Sequence, residues 1–168
     1  IMGEFKLWFY AVTALVPLLI GSIWYNPKVF GTAWMKATGL TEEQLKGGNM
    51  ILIFGITYIM SFMIAFILNF LVIHQTGFYS VLVGQPGLGD PNSELGKYVA
   101  DFMSKYGECY RTFKHGALHG GITAIGLALP FLSINSLFER KGFKYIAIHA
   151  GYWFITLMIM GGIVCQFA

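Results

Sequence analysis

MILIFGITYIMSFMIAFILNFLVI, residues 50–73, is a run of 24 residues without a charge. A helix rising 1.5 Å per residue needs about 20 residues to cross the hydrocarbon of a bilayer. The run is long enough, and it does not alternate as a barrel strand would. Lipid offers a crossing backbone no hydrogen-bond partners, so the segment must close its own bonds as an α-helix.

Working outward, the charges stop in three further places. There are 21 uncharged residues between Lys6 and Lys28, 24 between Lys114 and Glu139, and 24 after Lys144. Four transmembrane helices follow, over about 6–26, 50–74, 115–138 and 145–167, in a single integral membrane domain covering 1–168. Composition agrees. The chain is 56% hydrophobic and only 11% charged, with a mean hydropathy of +0.64, whereas soluble domains carry about 25% charged residues. So short a chain cannot bury that much apolar surface in one water-facing core. A soluble enzyme, a disordered tail and a nucleic-acid binder are excluded. The first span lacks a small-residue cleavage site and is expected to be retained.

The polar segments refine the picture. Thr41-Glu42-Glu43-Gln44 has the pattern of a capping box opening a short interfacial helix. Further on, Asp90-Pro91 reads as N-cap and first helical residue. Leu95, Tyr98, Val99, Phe102, Met103, Tyr106, Tyr110 and Phe113 then recur at helical spacing, predicting an amphipathic helix over about 91–113. The fold class is all-α: a four-transmembrane-helix bundle with an amphipathic interfacial helix between helices 2 and 3.

Pro17 and Pro130 lie inside spans and should bend them. Gly116, Gly120, Ala124 and Ala128 form a small-residue stripe that lets a second backbone come close. One membrane side carries five basic residues (Lys6, Lys97, Lys105, Arg111, Lys114) and the other six (Lys28, Lys36, Lys46, Arg140, Lys141, Lys144). The basic turn at 139–144 favours the second side as cytoplasmic, which leaves both termini periplasmic.

The titratable groups fall into two sets. His74 ends the second span, and His115 and His119 begin the third on the same side. The i, i+4 spacing puts the latter two on one helix face. With His74 they form a candidate set for a transition metal, with Cys109 or Glu108 as a further ligand, or for haem. The reading taken first is imidazoles hydrogen-bonded at headgroup level to water or loop backbone, with no cofactor; metal or haem is the alternative to it. On the opposite side Trp24, Tyr25, Asn26, Asn135, Glu139, Arg140, His149 and Tyr152 gather at span ends. Glu139, Arg140 and His149 are the candidate charge network there, either a binding or proton-handling site or a polar latch. Cys109 and Cys165 share the first side, where a disulfide is conceivable in an oxidising compartment. No Ser/His/Asp set, phosphate loop or carboxylate pair is evident, so no catalytic residue is assigned.

Three stretches together point to a family. They are Gly21-Ser22-Ile23-Trp24-Tyr25-Asn26-Pro27-Lys28-Val29-Phe30-Gly31 with Trp34 and Met35, then Lys114-His115-Gly116-Ala117-Leu118-His119-Gly120, and Phe138-Glu139-Arg140-Lys141 leading to Ile148-His149-Ala150-Gly151-Tyr152-Trp153. They resemble a family of small bacterial integral membrane proteins classed as a domain of unknown function. The resemblance implies a membrane fold in the bacterial inner (cytoplasmic) membrane. It marks Trp24, Tyr25, Pro27, Phe30, Gly31 and Trp34 as the family's motif and carries no activity. The leading functional reading is a non-enzymatic bundle that self-associates or serves as accessory subunit of a membrane complex, with the lipid bilayer as its other partner. The alternatives are a small-solute or proton-linked transporter and a metal- or haem-binding membrane protein.

Overall fold

The structure, a computed structural model, describes residues 7–168. Lys6, counted above both in the charge balance and as the start of the first span, lies outside the described residues. Four helical segments are long and apolar enough to cross a membrane: Leu7–Trp24, Met50–Val72, Phe113–Phe138 and Phe143–Phe167. No strand occurs among the described residues.

The first span is two helices, α1 (Leu7–Thr13) and α2 (Val16–Trp24). Pro17 has no N–H to give the Thr13 carbonyl, so the ladder must break before it. The break tightens the turn: the Leu15 N–H reaches Val12 O at 3.1 Å instead of Ala11 O. The bypassed Ala11 carbonyl is taken by the Tyr58 hydroxyl of a neighbouring helix at 2.9 Å. Lipid would leave it unsatisfied, so the kink requires that tyrosine.

Asn26 then caps a π-helical turn, Pro27–Gly31, with its side chain accepting from the Lys28 N–H. A Cβ at Gly31 would overlap the Tyr25 carbonyl, so this reversal needs glycine. Helix α3 (Thr32–Thr38) follows, and α4 (Glu42–Lys46) opens with the expected capping box, Thr41 and Gln44 bonding each other's backbone. Helix α5 (Met50–Val72) is the uninterrupted second span, capped by Asn49.

Two expectations about the following segment change. The second span stops at Val72, and a separate helix, α6 (His74–Leu82), starts where a loop was expected. The amphipathic helix, α7, covers Glu94–Tyr106 rather than 91–113. Ser93, not Asp90, is its N-cap: the Ser93 hydroxyl accepts from the Gly96 N–H at 2.8 Å and also reaches the Gly87 and Asp90 carbonyls. Asp90 instead turns the chain by accepting from the Asn92 N–H at 2.9 Å. Phe102 of α7 stacks on Phe78 of α6 with ring centroids 4.1 Å apart.

The third span begins with α8 (Phe113–Thr123), loosens into a π-helical turn over Ala124–Ala128, and resumes as α9 (Leu129–Phe138). The π turn, with Leu129 N–H reaching back to Ala124 O, accommodates Pro130, which cannot donate to the ladder. The last span, α10 (Phe143–Phe167), is the most enclosed of the four. Its Leu157, Met160, Val164 and Cys165 meet Ala65, Leu68 and Val72 of α5 and Phe9, Tyr10 and Val16 of the first span.

Inside lipid, helix association rests on close contact and polar bridges rather than on escape from water. Both are present. A methyl group on Gly116 would overlap the Gly161 carbonyl, and one on Gly120 the Leu157 carbonyl, so α8 and α10 touch backbone to backbone. The glycines of the small-residue stripe are thus occupied within the chain. Tyr10 donates to Asn69 Oδ1 at 2.9 Å, Tyr152 to Pro17 O at 2.9 Å and Trp24 Nε1 to Ile148 O at 3.1 Å. Model bilayer systems value such interhelical bonds at about 0.6–2 kcal/mol each.

Candidate metal centre

Helix α5 ends because Ile73 is extended, with φ −108° and ψ 103°. Its carbonyl is satisfied by the Thr76 N–H and hydroxyl, so α6 restarts in a new direction with His74 as its first residue. Helix α8 starts opposite. Thr112 is its N-cap, accepting from the His115 N–H at 3.2 Å. Gly116 and Gly120 hold it against α10, and His115 and His119, four residues apart, share a neighbouring face of the helix.

The three imidazoles converge. Ring centroids are 4.9 Å apart for His74–His115, 4.9 Å for His74–His119 and 4.5 Å for His115–His119. One ring nitrogen from each lies within 4.8 Å of the other two. An ion bound at about 2.0–2.1 Å from each nitrogen would set tetrahedral neighbours about 3.4 Å apart, against the spread of up to 4.8 Å found here. His74 is exposed and the other two are half-buried, which gives an ion a way in. Among the described residues neither Cys109 nor Glu108 joins this group.

A fourth aromatic ring stands beside them. Tyr110 lies 5.0 Å from His115 and 5.9 Å from His74 between centroids. Its loop is tied on two sides: Gln75 Nε2 donates to the Tyr106 and Cys109 carbonyls at 3.0 and 2.9 Å, and Arg111 donates to the carbonyls of Cys165 and Ala168. Tyr110 and Gln75 were not among the residues the sequence singled out for the site: Tyr110 was read as part of the amphipathic face, whose helix ends at Tyr106, and Gln75 belongs to no recognisable spacing. The Cys165 thiol is buried, 3.3 Å from the carbonyls of Val72 and of Tyr110. Cys109 is exposed, and both cysteines are free.

The other polar set lies well away from this one. Gly116 faces Gly161, and His149 is 12 residues nearer the N-terminus of α10, or about 18 Å at 1.5 Å per residue. Here the structure pairs His149 with Tyr25, whose hydroxyl is 2.9 Å from Nδ1. Trp34, Tyr145 and Tyr152 surround the pair, at 5.4 Å from Tyr25, 4.4 Å from His149 and 5.3 Å from Tyr25 respectively. Burial, with the neighbouring phenols of Tyr152 and Tyr145 adding to it, pushes the Tyr25 hydroxyl far above its ordinary value of 10.0. The Nε2 of His149 is buried without a hydrogen-bond partner. Asn26, Asn135, Glu139 and Arg140 are exposed around this end; among the described residues the side-chain partner of His149 is Tyr25, not Glu139 or Arg140. Trp24 instead packs on Phe30 at 4.5 Å and holds the α10 backbone.

A family model described as "Protein of unknown function (DUF1761)" matches residues 8–165. No curated protein and no solved structure matches the chain.

Proposed function

The chain belongs to the DUF1761 family of proteins of unknown function, and from its geometry we propose that it binds a first-row transition-metal ion at one membrane face through His74, His115 and His119. The observation that supports this reading is the convergence of three ligand nitrogens within 4.8 Å from two separate helices. His74 Nε2 and His115 Nε2 are 2.8 Å apart, so one donates a hydrogen bond to the other. An ion replaces that shared proton with two coordinate bonds. Neutral imidazoles favour zinc, copper, nickel or cobalt, and three protein ligands leave a position open for water or exchange. Haem is disfavoured: ring centroids only 4.5–4.9 Å apart leave no slot for a porphyrin between them.

The test is metal analysis of the protein purified in mild detergent, followed by Co²⁺ and Zn²⁺ titration of wild type and a His74→Ala/His115→Ala/His119→Ala variant. One ion per chain in the wild type and none in the variant is the expected result. Equal binding by both would overturn the reading. On the sidedness proposed from the basic 139–144 turn, this centre faces the periplasm.

A second reading, an accessory subunit of a membrane complex, is supported by α7, which stacks on α6 while exposing Tyr98 and Tyr106. A stoichiometric foreign protein in the same preparation is its test.

A further inference from the structure

We infer that Tyr110 is a positioning residue of the three-histidine site, held in a left-handed backbone so that its ring covers the ligand imidazoles; the inference rests on the metal reading above. Tyr110 has φ +64°, a region that L-residues other than glycine, asparagine and aspartate seldom occupy because Cβ crowds the following carbonyl. Burial does not explain the choice, since Tyr110 is 67% exposed. The bulky side chain is therefore neither sterically suited to this backbone nor hidden from the surroundings.

Such a conformer persists only where its neighbours fix it from several sides. Here they do. The Tyr110 carbonyl accepts from the Thr112 N–H at 2.9 Å and from the Cys165 thiol at 3.3 Å. Gln75 holds the carbonyl of Cys109 before it, and Arg111 after it is fastened to the C-terminal carbonyls of α10. These anchors put the phenol ring 5.0 Å from His115 at a tilt of 33° and 5.9 Å from His74 almost edge-on at 87°.

The chemical consequence follows from that placement. Two of the three ligand rings are braced by one aromatic ring, which sets their rotation, and outer-shell partners of this kind tune affinity and exchange. An aromatic face also tolerates a nearby cation. Tyr110 thus slows escape of the ion through the exposed His74 side without contributing a ligand atom.

The experiment uses the full chain in detergent, loaded with Co²⁺, whose visible absorption reports ligand geometry. Wild type is compared with Tyr110→Gly and Tyr110→Phe for metal-free melting temperature, the Co²⁺ spectrum and release to excess chelator. Tyr110→Gly is expected to melt higher than wild type, because its backbone is relieved, yet to release Co²⁺ about tenfold faster or more, with a shifted band. Tyr110→Phe is expected to match wild type. Tyr110→Asn, which also tolerates the left-handed region, supplies the same readout where the glycine variant does not fold. Unchanged release in Tyr110→Gly would overturn the inference. Release from Tyr110→Phe as fast as from Tyr110→Gly would also overturn it, by making the phenol oxygen a ligand. A wild type that binds no Co²⁺ would overturn the metal reading, and this inference with it.

Discussion

His74 Nε2 and His115 Nε2 lie 2.8 Å apart across 41 residues of sequence, joining the first residue of α6 to the first turn of α8. One of the two nitrogens must be protonated and the other not, whichever tautomer is chosen. Removing either ring leaves the second without that partner and removes a ligand. His115→Ala is therefore expected to weaken Zn²⁺ binding by more than the about 10–100-fold typical of an outer-shell change. It should leave the melting temperature of the metal-free protein nearly unchanged, because the pair is solvent-accessible. Competition against a colorimetric chelator measures the first and thermal unfolding in detergent the second. Affinity equal to wild type would remove His115 from the site.

The contact between α8 and α10 is expected to be intolerant of a single methyl group. A Cβ on Gly120 would overlap the Leu157 carbonyl, and backbone on both sides leaves it nowhere to move. Overpacking of this kind costs about 1–3 kcal/mol, so Gly120→Ala should lower the melting temperature. Gly55, in the second turn of α5, has nothing within 4 Å of a built Cβ. Gly55→Ala should raise stability, by up to about 1 kcal/mol, through helix propensity alone. A Gly120→Ala protein that melts like wild type would contradict the close approach.

The spans were legible because a charge in hydrocarbon is costly enough that its absence over about 20 residues marks them. The same side of the membrane for His74, His115 and His119 followed from counting spans, and the shared face of the last two from i, i+4 spacing. Their convergence did not follow, since it depends on the extended Ile73 that turns His74 towards α8. Helix α6 was missed because His74-Gln75-Thr76-Gly77 holds one good helix former among a histidine, a β-branched residue and a glycine, and no charge pattern. The start of α7 was misread because Asp90-Pro91 and Ser93-Glu94 are both good N-terminal signals, and tertiary contacts of the Ser93 hydroxyl decide between them. Tyr25 and His149 were both singled out, but with Glu139 and Arg140 as the partners of the histidine. Sequence gave no reason to prefer a phenol over two charged groups that can reach water.

The Tyr25–His149 pair should appear as a stability contribution with an alkaline limit. Burial raises the Tyr25 hydroxyl above its ordinary value of 10.0, so the folded protein keeps the proton that the unfolded chain would release. The stability from this shift is fully present below pH 10 and falls as pH rises beyond it. Tyr25→Phe should remove that alkaline decline. It also strips Nδ1 of His149 of its partner while Nε2 has none, which should lower stability by about 1–3 kcal/mol at neutral pH. Melting temperatures of both proteins from pH 7 to pH 11 provide the check. Parallel curves across that range would show that Tyr25 does not carry the shift.

Sidedness is testable through one exposed thiol. Cys109 is exposed and Cys165 buried, so a membrane-impermeant maleimide should react with the first alone, and Cys109→Ser should abolish labelling. Cys109 lies in the segment between the second and third spans, on the side of the histidine centre. With the basic 139–144 turn cytoplasmic, intact bacterial host cells making the protein should label without permeabilisation. Labelling only after lysis would reverse the orientation and direct the metal centre to the cytoplasm. The histidine geometry would be unchanged, but the ion would then have to come from cytosolic pools, where competing thiolate ligands bind soft metals strongly.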